Sequence, residues 1–115
     1  MQVTVYHNPR CSKSRATLEL LQKKKIKLKV IEYLEDPPSP QELNGILARL
    51  GMEPREFMRK NEAPYRALGL NDEVLDRDFL IAAICAHPIL MQRPVVLANE
   101  KAAIGRPPEQ VLAIL

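Results

Sequence analysis

Hydrophobic and polar positions alternate in Val3-Thr4-Val5-Tyr6, and the residues are β-branched or aromatic, which predicts a short strand. Asn8-Pro9 is a turn signal. From Cys11 the spacing becomes helical, with Leu18, Leu21 and the Ala16–Leu20 pair marking one face. Lys23-Lys24-Lys25 closes that helix, where cations suit the negative end of the dipole. Leu28 to Leu34 predicts a second strand with Leu28 and Val30 on one side. A single helix joins the two strands, so they should run parallel. Ser39-Pro40-Gln41-Glu42 is a capping box with proline at the first helical position. Leu43, Ile46, Leu47 and Leu50 follow at helical spacing, and Gly51 stops the run. A short helix is expected from Pro54, then a polar, proline-interrupted stretch from Lys60 to Asn71. Asp76 caps a helix running to about Ala86, because His87 precedes Pro88. Pro94-Val95-Val96-Leu97 predicts a third strand and Ala102 to Ile104 a fourth, joined by a tight turn. Pro107-Pro108 opens a last helix with Val111, Leu112 and Leu115 on one face.

The order is β-α-β, a helical block, then β-β-α. This is an α/β chain of the thioredoxin-like kind, with a mixed four-stranded sheet flanked by helices. At 115 residues it is expected to form a single domain, 1–115, with a helical insertion at about 39–91. Trp is absent and Tyr and Phe number 3 and 2, so the core must be mostly aliphatic. The net charge of +3 is a mild excess that points to no nucleic-acid partner. No apolar run reaches membrane-span length, and Met1-Gln2 leads straight into the first strand without a signal-peptide pattern. The expectation is a cytoplasmic, monomeric protein whose Cys11 and Cys85 are free thiols.

Chemistry concentrates in His7-Asn8-Pro9-Arg10-Cys11-Ser12-Lys13-Ser14-Arg15, between the first strand and the first helix. A cysteine at a helix start faces free backbone N–H groups and the positive dipole end, which favour the thiolate. The same N–H groups can cradle an oxyanion. Ser14 stands where dithiol oxidoreductases carry a second cysteine, so the loop holds no resolving thiol. Cys11, Cys85, His7 and His87 lack paired metal-ligand spacing, and no metal is expected. Cys85 shares a helical side with Ile81 and Ile84 and reads as a core thiol. On sequence alone Arg59 reads as a solvated helix residue, while Arg93 and Arg106, before prolines in turns, read equally as turn residues or as ligands.

The chain resembles the glutaredoxin-linked arsenate reductase family, and within it the short bacterial members. The resemblance rests on Tyr6-His7-Asn8-Pro9 with Cys11 and Ser14-Arg15, Tyr33-Leu34-Glu35 with Pro37-Pro38, Arg59-Lys60-Asn61 with Pro64-Tyr65, Leu68-Gly69-Leu70, His87-Pro88-Ile89-Leu90 with Arg93-Pro94, and Gly105-Arg106-Pro107. It implies that Cys11 attacks arsenate and that His7 and Ser14 support its thiolate. It implies oxyanion binding by Arg59, Arg93 and Arg106, and a cis peptide before Pro94. It also implies glutathione as co-substrate, glutaredoxin as electron-donating partner and no bound cofactor. Two other readings stay open at this point. One is a glutathione-dependent thiol oxidoreductase with another substrate. The other is a redox regulator binding RNA polymerase, which a Cys-x-x-Cys switch would favour and Ser14 disfavours.

Overall fold

Val3 and Val5 are completely buried, and they seed the sheet through β1 (Gln2–His7). The computed structural model describes residues 2–115. In chain order, β1 is followed by α1 (Ser12–Gln22), β2 (Lys27–Glu32), α2 (Pro40–Leu50), α3 (Pro54–Phe57), α4 (Ala63–Ala67), α5 (Arg77–Ala86), β3 (Val95–Ala98) and β4 (Lys101–Ile104). Two 3-10 segments, Pro88–Leu90 and Pro108–Ile114, complete the described elements. The chain divides into two compact units. One joins the residues up to Asp36 with Arg93–Leu115, and the other is Pro37–Gln92.

The first unit carries a four-stranded mixed sheet in the order β2-β1-β3-β4. As the connecting helix requires, β1 and β2 run parallel, from Gln2 beside Lys27 to His7 beside Glu32. β3 runs antiparallel to β1, with Val5 opposite Val96, and antiparallel to β4. This is the thioredoxin-like βαβ and ββα arrangement. Val3, Val5, Leu21, Val96, Ala98, Val111 and Ile114 form its apolar core, flanked by Leu20, Ile26, Leu28 and Ala103. Asn99 and Glu100 both hold positive φ in the β3–β4 turn, as a primed hairpin turn requires.

Three local expectations change. Val30 shares a face with Leu28 but lies on the edge strand, and 44% of its surface stays exposed. The buried stripe of α1 is Ser14, Thr17 and Leu21, so two hydroxyls face inward where apolar residues were expected. The C-terminal segment is a 3-10 helix. Its three-residue repeat turns Val111 and Ile114 inward and leaves Leu112 exposed.

In the second unit, the Ser39–Glu42 capping box closes as expected: Glu42 N–H donates to Ser39 Oγ at 3.1 Å and Ser39 N–H to Glu42 Oε1 at 2.9 Å. Gly51 ends α2 in the left-handed conformation that glycine alone adopts without strain. Asp76 caps α5 by accepting from Phe79 N–H at 2.8 Å. α5 packs on α2, α3 and the Pro88–Leu90 turn. The polar, proline-interrupted stretch contains α4, opened by Pro64, whose missing N–H costs nothing in a first turn. Arg55 braces the chain beyond α4 by donating to the carbonyls of Leu70, at 2.6 Å, and Asp72. No helix among the described residues is long and apolar enough to cross a membrane.

Candidate active site

The Cys11 loop is shaped by its own polar groups. Asn8 Oδ1 accepts from Arg10 N–H at 3.0 Å, and Asn8 carbonyl accepts from Cys11 N–H at 3.0 Å. Arg15 reaches back to donate to the Pro9 carbonyl at 2.9 Å. These bonds turn the chain sharply out of β1 and place half-buried Cys11 at the N-cap of α1 in an extended conformation. Its sulfur faces the N–H groups of Lys13 and Ser14 at the helix mouth, without closing a regular cap hydrogen bond. α1 carries no acidic residue in its first turn to oppose an anion there.

The electrostatics favour a thiolate. Burial works against the charge. The N–H of Ser14, the Arg93 guanidinium and the N–H of Lys13 outweigh it, and the Cys11 pKa falls below its ordinary value. Arg93 acts both as a hydrogen-bond donor and as a nearby charge. It leads into the sheet through a cis Arg93–Pro94 peptide, the geometry the resemblance implies at Pro94. A second cis bond, Arg106–Pro107, follows β4. Arg106 is exposed and makes a long 3.5 Å contact from Nη1 to the Arg93 carbonyl, so the sheet brings Arg93 and Arg106 together.

Ser14 is fully buried and locks the loop. Its Oγ lies 2.7 Å from His7 Nδ1 and accepts from Asn8 N–H at 2.9 Å. His7 thus reaches the loop through Ser14. Burial lowers its pKa, with Glu32 pulling up and Arg15 pushing down, so the imidazole is largely neutral at pH 7. The charge on the thiolate is met by Arg93 and the helix mouth. Arg59 belongs to the other unit, where its Nε donates to Glu62 Oε1 at 3.2 Å. Cys85 is half-buried on α5, and burial together with Glu42 raises its pKa, leaving it a weak nucleophile.

Two features of the site went unread in the sequence. Gly105 supports the arginine-bearing turn because it has no side chain. A Cβ there would fall 2.4 Å from Thr17 Oγ1 and 2.8 Å from Pro94 Cγ. Tyr33, just after β2, is completely buried beside Arg93, Asn8 and Cys11. Burial raises its pKa and keeps it a neutral phenol. The only hint of either was membership in a resembling motif, which says nothing about contacts.

Comparison with known proteins fits this geometry. An arsenate reductase of Neisseria meningitidis serogroup A is 48% identical over 115 residues, covering 99% of this chain and 98% of its own. An arsenate reductase of Escherichia coli is 44% identical over 113 residues, covering 98% of this chain and 80% of its own. The solved structure of an arsenate reductase from Vibrio cholerae superposes with a TM-score of 0.96 at 51% identity, over 100% of this chain and 98% of that one. Residues 6–114, from the end of β1 to the end of the C-terminal 3-10 helix, match the ArsC family, and the chain belongs to that family.

Proposed function

We propose that this protein is an arsenate reductase that works through one thiolate, Cys11, with glutathione and glutaredoxin as the source of electrons. The observation that carries the reading is the Cys11 sulfur at the mouth of α1, facing two backbone N–H groups and Arg93. That arrangement suits both a thiolate and a tetrahedral oxyanion. The arsenate reductases it resembles lend the choice of oxyanion.

The steps follow from thiol chemistry. Cys11 thiolate attacks arsenic(V), a sulfur–arsenic bond forms, and an arsenate oxygen leaves as water after protonation. Glutathione displaces a second oxygen as water, so that arsenic carries both sulfurs. A glutaredoxin thiolate then attacks the glutathione sulfur. A disulfide forms, the arsenic–glutathione bond breaks, and its electron pair stays on arsenic, which becomes arsenic(III). Water hydrolyses the remaining Cys11–arsenic bond, releasing arsenite and restoring the thiol. The two electrons come from glutathione and glutaredoxin, which leave as a mixed disulfide. External thiols are required because Ser14 has no redox chemistry, and no resident cofactor is needed. Arg93 and Arg106 hold the oxyanion in this scheme, as guanidinium groups suit multi-oxygen anions. Arg59 joins them on the strength of the family motif alone. The setting proposed is a cytoplasmic monomer.

The test is NADPH oxidation by the purified protein with arsenate, glutathione, glutaredoxin and glutathione reductase. Turnover should require arsenate, glutathione and glutaredoxin together. Multiple turnovers sustained by thioredoxin without glutathione would require an internal disulfide and overturn the single-thiol scheme. No arsenate-dependent oxidation in the complete mixture would overturn the choice of substrate.

A further inference from the structure

Tyr33 sits in the turn that ends β2, where Glu35 and Asp36 N–H both donate to the Glu32 carbonyl, at 3.0 and 2.9 Å. The turn fixes the ring, which is wholly buried. Its hydroxyl oxygen is sealed from solvent and closes no well-formed hydrogen bond among the described residues. A phenylalanine would fill the same volume without the cost of a buried, unpaired hydroxyl. The neighbours that act on this hydroxyl are the groups of the site: Arg93, Asn8 and Cys11. Asn8 Oδ1 is already engaged by Arg10 N–H. The Cys11 sulfur is met by Ser14 N–H, Lys13 N–H and Arg93. The Asn8 amide nitrogen can still donate to the phenol oxygen, but Arg93 is the neighbour that acts on it most strongly, both as a charge and as a donor, and a phenol oxygen beside this planar cation can serve as its acceptor.

We propose that Tyr33 is a positioning residue for Arg93. Its buried hydroxyl steadies the guanidinium that faces the Cys11 sulfur, and through it the oxyanion bound there. The part that concerns the oxyanion rests on the arsenate reductase reading; the part that concerns the thiolate does not. Because the phenol stays protonated, it sets orientation and adds no charge of its own.

The test is Tyr33→Phe in the full chain, which keeps the ring and removes only the oxygen. The melting temperature should stay level or rise, since an unpaired buried group is lost. The Cys11 thiolate midpoint, followed by absorbance near the ultraviolet thiolate band, should move up by about half a unit to one unit as Arg93 loosens. The kcat/KM for arsenate should fall about tenfold as the guanidinium that meets the oxyanion loosens. In an Arg93→Ala background, Tyr33→Phe should cause no further loss. Wild-type values for both the midpoint and kcat/KM would overturn the proposal. So would a drop in melting temperature or a failure to fold, which would make the hydroxyl structural, and so would full additivity with Arg93→Ala. A wild-type protein inert toward arsenate would instead refute the substrate reading, and the thiolate midpoint would then decide Tyr33 by itself.

Discussion

Replacing Gly105 with alanine tests how tightly α1, β4 and the cis-proline turn are fitted around the site. The added Cβ would lie 2.4 Å from Thr17 Oγ1, 2.8 Å from Pro94 Cγ and 3.2 Å from Thr17 Cγ2. Reaching ordinary contact means a shift of about 1 Å on one side or the other. The neighbours are poorly placed to give way. Thr17 is fully buried and its hydroxyl donates to the Lys13 carbonyl at 2.9 Å. Gly105 N–H donates to the Pro94 carbonyl at 2.9 Å, which pins the backbone where the methyl must go. Overpacking of this kind costs about 1–3 kcal/mol. For a domain of this size, that lowers the melting temperature by roughly 4–12 °C in thermal unfolding followed by circular dichroism. Gly45 provides the control. It lies inside α2 with nothing within 4 Å of a Cβ, so Gly45→Ala should stabilise by about 0.5–1 kcal/mol. Adding Thr17→Ala to Gly105→Ala removes two of the three clashes and should restore part of the loss. Equal melting temperatures for Gly105→Ala and wild type would refute the reasoning, as would a loss of the same size from Gly45→Ala.

Three further outcomes are expected. Cys11→Ser should abolish turnover while Cys85→Ser leaves it largely intact, and iodoacetamide near pH 7 should alkylate Cys11 first; equal loss from both substitutions would mean a dithiol mechanism. Ser14→Ala strips the partner from both Asn8 N–H and His7 Nδ1, so urea unfolding should show a loss of about 2–4 kcal/mol; a loss under 1 kcal/mol would show that the loop does not depend on this hydroxyl. Folded His7 titrates below its unfolded value of about 6.5, so on acidification the unfolded chain takes up the proton first. Stability should therefore fall as pH drops through about 6.5 and level off below the folded value, and His7→Asn should flatten that slope in a series of melts.

Elements whose signals are local were legible in the sequence. The Ser39 capping box, the Asp76 cap, the Gly51 stop and the start of α1 at Cys11 each depend on a few neighbouring residues, and each sits where its spacing put it. What escaped depends on distant partners. Ser14 and Thr17 look like solvent-facing residues until His7 and Asn8 satisfy one and the Lys13 carbonyl the other. Val30 has the composition of a core strand residue, and only its place on an edge exposes it. α4 hid behind Asn61, Pro64 and Gly69, which punctuate a sequence equally well as breakers or as helix ends. The same holds at the site. The activated cysteine was visible because its helix start lies beside it in sequence. Tyr33 and Gly105 were not, since their roles are defined by Arg93, Pro94 and Thr17 across the sheet.

The pairing of β1 with β3 has a consequence for the newly made chain. Thr4 to Tyr6 meet Val95 to Leu97 across most of the length of the protein, while β1 and β2 are joined by a single helix. The cost of closing such a long loop grows only slowly with its length, but it must be met before the contact returns anything. The β1–α1–β2 portion can therefore gather early, with Cys11 already at the mouth of its helix, while Arg93 arrives only when the distant strand docks. Until then the helix mouth alone, through the N–H groups of Lys13 and Ser14, holds the charge of a thiolate. Full nucleophilic reactivity at residue 11 thus depends on a strand more than eighty residues away in the chain, and the last contribution to the thiolate is added only when the sheet is complete.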